Sequence, residues 1–599
     1  MSARTTIPTF VSLALLGVGV AVAQSASDSL HRLFDEYTAW HHREFPEEAV
    51  ARGDYSHADK ITDGSLAAIE RRHRERQHFV ERLREIEREE LNESDRLNYD
   101  MFDFELQTAI EGYRFRAFLA PMGGRFGPQQ DIPQMHRRVR FGSYDDYANY
   151  LTRLEHVPKL VGDTIELMRL GSKEGRTPPR VTLLGLPDQF ERLLDSGLDE
   201  LATPLNDFPG LIDNEQRAGL RQRFETVCLP AVREAVRQLG EFVTSEYIPK
   251  CQDSIAATDW PDGEAYYAYM LRTMTTTDLT ARQIHEIGVR EVARVRAEML
   301  AVIRSTDFMQ KFPEAAELDD ADLFRRFVQY LRTDPRFYHR TAEELLTGYR
   351  DICKRIDAEL PRLFSVLPRT PYGVRPIPDF MAPDQTTAFY QPGDLRAGTA
   401  GYFCANTYAL DQRPKYEMIV LAMHEAVPGH HLQSSLAREL EGLPEFRRHA
   451  WLNAFGEGWA LYAERLGLEL GLYEDPYDNF GRLLYEMWRA CRLVVDPGLH
   501  ALGWSREQAV EFMRENTALS EHNINTEVDR YIGWPGQATA YKIGELKIRE
   551  LRARAEEKLG DRFDLREFHR VVLDGGALPL TILERRVDAW VDDQRNADR

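Results

Sequence analysis

The chain has 599 residues, 43% hydrophobic and 29% charged, the make-up of an ordinary globular protein and not of a disordered or membrane-embedded one. Its net charge of −21 argues against nucleic acid and anionic membrane surfaces as partners, because both would repel it. The length exceeds what one small core needs and calls for several domains or one large merged helical body.

The N-terminus reads as a targeting segment. "MSAR" is a short basic start, "FVSLALLGVGVAVA" an apolar core of about 14 residues, and Ala21-Val22-Ala23 a small-residue cleavage site. A run of that length is shorter than the ~20 residues of a membrane span. Residues 1–23 are therefore expected to be a signal peptide, leaving a periplasmic or secreted chain with no membrane span. No cysteine follows the cleavage point to carry a lipid.

Most of the mature chain has helical periodicity. Residues 65–90 carry Glu and Arg densely, with Ile69, Phe79, Leu83 and Ile86 recurring at helical spacings, which predicts a helix with a solvated, ion-paired face. Residues 279–303 predict a second such helix, capped by Thr280, and 341–368 a third, ended by Pro368. A proline-rich stretch, 367–385, predicts a boundary between a helical N-terminal part (24–370) and a C-terminal part (371–599). The best strand candidate is "AGYFCANTYA" (400–409), aromatic and β-branched residues between turn formers. The cysteines, Cys228, Cys251, Cys353, Cys404 and Cys491, are odd in number and unclustered. They predict small buried hydrophobes, with one bridge at most, and no metal site.

The chemistry concentrates in "LAMHEAVPGHHLQ" (421–433). A zinc helix commonly reads H-E-x-x-H, which places both histidines on one face. Here His424 and Glu425 begin that pattern, but the i+4 position is Pro428, and the next histidines are His430 and His431. On a straight helix i+6 lies about 120° off the face and about 9 Å along the axis, and i+7 about 10.5 Å away. Neither reaches one tetrahedral ion. Pro428 gives no N–H to the ladder, and Gly429 tolerates unusual dihedrals, so a bulge looping out two residues would return His430 to the i+4 place. The segment 455–471 is helical and supplies Glu457 and Glu464; Glu457 is the candidate third ligand. Glu425 is the candidate general base.

"HEAVPGHHLQ", "EGWALYAE", "RLVVDPGLH" (492–500) and "WPGQATAYKIG" (534–544) resemble the successive motifs of bacterial domain-of-unknown-function family 885. Residues 260–288 and 568–580 resemble its other recurring segments, so the resemblance spans nearly the whole mature chain and implies one long family domain. In that family the histidine directly after Pro-Gly is the persistent one, which favours His430 over His431. The family in turn resembles glutamate-ligand zinc peptidases (gluzincins) such as thimet oligopeptidase and carboxypeptidase Taq. There a second glutamate follows the ligand by seven positions, the spacing of Glu457 and Glu464. Dipeptidyl peptidase III, whose motif carries one extra residue, is the precedent for an expanded motif.

The resemblance implies a mainly α fold: a large gluzincin-like helical body with a deep cleft and a small β-sheet near the zinc helix. It implies a Zn²⁺ cofactor on His424, His430 and Glu457. It also implies an edge strand, here the one around Tyr402, that binds the peptide backbone. A C-terminal tyrosine would hold the oxyanion; 527–544 offers Arg530, Tyr531 and Tyr541, with Tyr541 preferred and Tyr531 next. Arg492, Asp496 and His500 are spaced by four on one helical face, readable as contacts supporting the site or as an internal ion pair. His569 reads as a packed helix histidine. The function expected is a zinc metallopeptidase of short or unfolded peptides. Hydrolysis of a non-peptide amide or ester, and a non-catalytic exported peptide-binding protein, are the alternatives.

Overall fold

Charge-laced sequence with a 3.6-residue apolar period becomes helix along most of the chain. The computed structural model describes residues 10–378, 382–395 and 398–596, and these are mainly α-helical with one three-stranded sheet. Residues 1–9 of the expected signal peptide lie outside the described residues. Among the described residues no helix is long and apolar enough to cross a membrane.

The chain divides into two units, residues 1–253 with 444–447, and residues 254–443 with 448–599. In the first, α1 (Phe10–Glu44), α2 (Leu66–Arg84) and α3 (Glu93–Tyr113) surround an aromatic core. Ser65 and Asn92 cap α2 and α3 by accepting backbone N–H bonds from Ala68 and Asp95, satisfying donors that a helix start leaves open. Phe79 and Leu83 of α2 are buried as their spacing predicts, and the Phe34, Phe102 and Phe446 rings pack at 5.0–5.2 Å.

The second unit includes α4 (Ala281–Ser305), opened by a reciprocal Thr280–Gln283 capping box, and α5 (Ala342–Glu359). The helix expected over 341–368 stops at Glu359, because Pro361 has no N–H to continue the ladder. The proline-rich stretch that follows lies inside this unit and carries strand β1 (Tyr372–Pro376). Strands β2 (Ala388–Gln391) and β3 (Gly401–Ala405) complete the sheet in the order β1-β3-β2. β3 pairs parallel to β1 (Tyr402 opposite Gly373) and antiparallel to β2 (Tyr402 opposite Gln391).

This corrects the expectation for Tyr402. Its strand is central, with backbone groups committed on both sides, so it cannot add a substrate strand. The Tyr402 ring instead packs under the Arg375 guanidinium, 4.1 Å from the ring centroid. Among the described residues β2 pairs only with β3, and it packs against the helix that carries His424.

Further helices of this unit carry the candidate site residues and their neighbours: α6 (Met418–Glu425), α7 (His430–Glu439), α8 (Asn453–Leu466), α9 (Pro476–Ala501), α10 (Glu521–Gly533), α11 (Ala540–Leu559) and α12 (Leu565–Leu573). From Phe480 to His500 every residue of α9 is buried, so its polar side chains all need internal partners. Helices α8 and α11 cross with their backbones touching. A Cβ on Gly458 would lie 2.5 Å from the Cα of Gly544, so neither position admits a side chain. Gly458 adjoins Glu457 and Gly544 is one turn after Tyr541, so this crossing sets those two side chains near each other. The five cysteines are all buried and free.

Candidate metal centre

The Pro-Gly segment is not a bulge within one helix. α6 ends at Glu425, residues 426–429 form a turn, and α7 restarts at His430. The His431 N–H bonds back to the Ala426 carbonyl at 3.0 Å, five residues away, so the turn takes up the extra residues. Gly429 is obligatory there: a Cβ would collide with the carbonyl oxygens of His424 and Met423. The Trp459 indole N–H, from α8, donates to the Pro428 carbonyl at 2.8 Å and pins the turn.

The turn separates the two adjacent histidines. His430 faces His424, with ring centroids 4.7 Å apart and planes at 85°. His431 points to the sheet, its Nδ1 2.9 Å from the Tyr390 hydroxyl and 3.3 Å from Ser435 Oγ. Burial pushes the His431 pKa down to about 4.

One ligand atom from each of His424, His430 and Glu457 lies within 4.8 Å of the other two, a group that could hold a metal ion. Glu457 Oε2 is 3.6 Å from His424 Nε2 and 3.4 Å from His430 Nε2. Behind His424, Nδ1 contacts Glu464 Oε1 at 2.8 Å, which fixes the ring so that Nε2 faces Glu457. Glu464 in turn lies 3.8 Å from Arg489, and the Tyr473 hydroxyl donates to its carbonyl at 2.8 Å. Burial opposes a charged His424, but Glu457 and Glu464 outweigh it and lift the pKa to about 9. Burial likewise opposes the Glu457 carboxylate, and the two imidazoles hold its pKa well below the usual range. By contrast, buried His430 Nδ1 has no hydrogen-bond partner. Its ring is faced by the half-exposed Trp451 indole at 5.7 Å.

Glu425 follows the first histidine and is 7% exposed. Its carboxylate is near enough to act electrostatically on His424 and on Cys404 of β3.

Tyr541 lies on the Glu457 side. Burial and then the Glu457 carboxylate raise its phenol pKa, and the Arg492 and Arg489 guanidiniums sit over its ring at 4.5 and 5.8 Å. Tyr531 is fully buried. Its hydroxyl accepts from Trp488 Nε1 and Arg492 Nε, both at 3.0 Å. Arg492 and Arg530 share Glu527, each at 2.9–3.0 Å.

Residues 46–587 match the model of a bacterial protein family of unknown function, DUF885. The chain belongs to that family. A crystal structure of a candidate lipoprotein from Colwellia psychrerythraea is similar to this DUF885 chain at a TM-score of 0.85 and 28% identity. The match covers 95% of this chain and all (100%) of that one. A candidate lipoprotein of unknown function from Shewanella oneidensis shares the fold at a TM-score of 0.70 and 18% identity, over 93% of this chain and 99% of that one. No curated protein matches.

In this DUF885 chain the evenly spaced Arg492, Asp496 and His500 do not pair with one another. Asp496 accepts the Tyr267 hydroxyl at 2.6 Å and the Gly536 N–H at 3.1 Å, holding the Trp-Pro-Gly turn ahead of α11; burial raises its pKa to about 7. His500 accepts the Ala257 N–H at Nδ1 (3.1 Å), and its Nε2 lies 3.0 Å from the Tyr531 carbonyl; burial lowers its pKa to about 4. His569 is packed as expected, between Tyr462 and the Leu363 carbonyl at 2.8 Å each. Sequence reasoning missed Trp451, Trp459 and Arg489. Only Trp459 carried a signal, as the bulky residue two positions after Glu457 within the same motif.

Proposed function

We propose that this protein is an exported, zinc-dependent peptidase whose metal is held by His424, His430 and Glu457. The observation that carries this reading is the convergence of two imidazole nitrogens and one carboxylate oxygen, backed by Glu464 on the far side of His424. Two of the three ligand-to-ligand distances match a tetrahedral zinc. Bonds of about 2.0–2.1 Å in a tetrahedron set ligand atoms about 3.4 Å apart, and the Glu457 oxygen lies 3.4 and 3.6 Å from the two imidazole nitrogens. Two histidines and one glutamate leave a fourth position open, as catalytic zinc sites do.

Zinc, when bound, supplies Lewis-acid polarisation and a more acidic water. Glu425, adjacent to the first ligand, accepts the proton of the attacking water and later returns it to the leaving amine. The Tyr541 hydroxyl donates a hydrogen bond to the oxyanion that develops on the attacked carbonyl. Arg492 and Arg489, stacked on the Tyr541 ring, surround it with positive charge that favours that oxyanion. β2, whose outer edge is unpaired among the described residues and which packs on α6, offers main-chain bonds to an extended peptide. That edge supports a peptide over another amide or an ester.

Export is supported by the signal-like N-terminus and by the structural relatives described as lipoproteins. The test is cleavage of a broad peptide library by zinc-loaded wild type and Glu425→Gln. Hydrolysis by the first and its loss in the second, at equal zinc content, is expected. Stoichiometric zinc with no cleavage by wild type would refute the peptidase reading.

A further inference from the structure

The Trp451 side chain is out of keeping with its neighbourhood. Helix α8 begins two residues later, and nearly everything on it is buried, yet the Trp451 indole is 51% exposed. Its position is nonetheless fixed. The six-membered ring rests on Gly456, where a Cβ would collide with it, and Gly456 directly precedes Glu457. The indole Nε1 is tethered to Asn453 Oδ1 at 3.4 Å, and the ring also lies 5.7 Å from the His430 imidazole at a 56° tilt. One indole thus touches the surroundings of two of the three candidate ligands while presenting half its surface outward. Half-exposed aromatic surface beside a group of converging polar side chains has the make-up of a ligand subsite, apolar and aromatic with a few placed polar groups.

We propose that Trp451 is a specificity-determining residue: the wall of a subsite that receives an aromatic or large apolar side chain of the substrate next to the scissile bond. The inference rests on the peptidase reading, since it takes the His424–His430–Glu457 centre as the place of reaction. An aromatic side chain stacked on the open indole face gains roughly threefold to tenfold in kcat/KM over alanine at the same position.

The test uses pairs of peptides identical except for Phe or Ala on either side of the cleaved bond. Wild type, Trp451→Ala, Trp451→Leu and Trp451→Phe are compared, with zinc content measured for each. The proposal expects a wild-type Phe/Ala ratio of about 3–10 at one flanking position. That ratio falls towards 1 in Trp451→Ala, lies in between in Trp451→Leu, and is largely kept in Trp451→Phe. Because the readout is a ratio, a general loss of rate does not imitate it. A zinc-containing Trp451→Ala or Trp451→Leu enzyme with the wild-type ratio overturns the proposal, as does a wild type without preference. Calorimetric binding of the same peptides to zinc-loaded Glu425→Gln, with and without Trp451→Leu, separates the two readings. If wild type cleaves nothing but the Phe peptide binds more tightly through Trp451, the peptidase reading fails and the subsite stands. If binding is equal for both peptides, the subsite fails.

Discussion

Two polar groups of the second unit look alike in sequence and differ in the fold. The first is His424, Glu425, His430 and Glu457; the second is Arg492, Asp496 and His500, at an ideal helical spacing of four. The irregular group converges: His424, His430 and Glu457 turn their ligand atoms toward one another, with Glu425 next to the first of them. The regular group disperses, its members bonded to surrounding residues and not to one another: Arg492 to the Tyr531 hydroxyl and Glu527, Asp496 to Tyr267 and the Gly536 turn, His500 to Ala257 and the Tyr531 carbonyl. Even spacing along a buried helix thus reports a row of anchoring bonds. Convergence of ligand atoms from distant segments is what singles out the candidate metal site.

Substitutions can break this contrast. The largest effect is expected from His430→Ala against His431→Ala, read by zinc content and hydrolysis. His430→Ala should lose bound zinc and at least ~10³-fold in activity, whereas His431→Ala should keep its zinc, because its ring is turned to Tyr390. Zinc loss in both, or in neither, would erase the distinction the turn creates. Next is Gly429→Ala, where the added methyl collides with the His424 carbonyl. It should lower the unfolding temperature and zinc occupancy together, by about 2–4 kcal/mol of stability. Glu464→Gln keeps the shape behind His424 but weakens its hold, and a 10- to 100-fold rise in the zinc dissociation constant is expected by competition with a chelator.

The smallest effect belongs to the dispersed row and reads out in stability. His500 is buried neutral, with its pKa lowered from 6.5 to about 4. Below pH 6.5 the unfolded state binds the proton first, so the stability His500 contributes is complete above that pH and is lost as pH falls towards 4. The loss is on the order of 1–3 kcal/mol. Denaturant titrations at pH 7 and pH 4.5 should show a smaller drop for His500→Asn than for wild type. An equal drop would mean that His500 is not held in the neutral form.

What the sequence made legible follows from what it encodes locally. Helical periods, caps and the anomaly at Pro428-Gly429 are short-range features, and α2, α4 and the histidine segment were readable from them. The mainly α class and the family followed from motifs spread along the chain. What was hidden depends on distant partners. That β3 is flanked on both sides required knowing where β1 and β2 fall. The direction of His431 against His430 depended on a four-residue turn held by Trp459. The dispersal of Arg492, Asp496 and His500 was set by partners in several separate segments, around Ala257, Tyr267, Tyr531 and Gly536. Trp451 gave no signal, because exposure of one tryptophan is a tertiary fact. The division near residue 253 carries no proline-rich mark comparable to 367–385.

The most direct measurement is a crystal structure of zinc-loaded protein with anomalous data collected on both sides of the zinc edge. One zinc ion bound by His424 Nε2, His430 Nε2 and a Glu457 oxygen, with His431 still against Tyr390, is the predicted result. No ion at that place under saturating zinc, or an ion bound without Glu457, would contradict it.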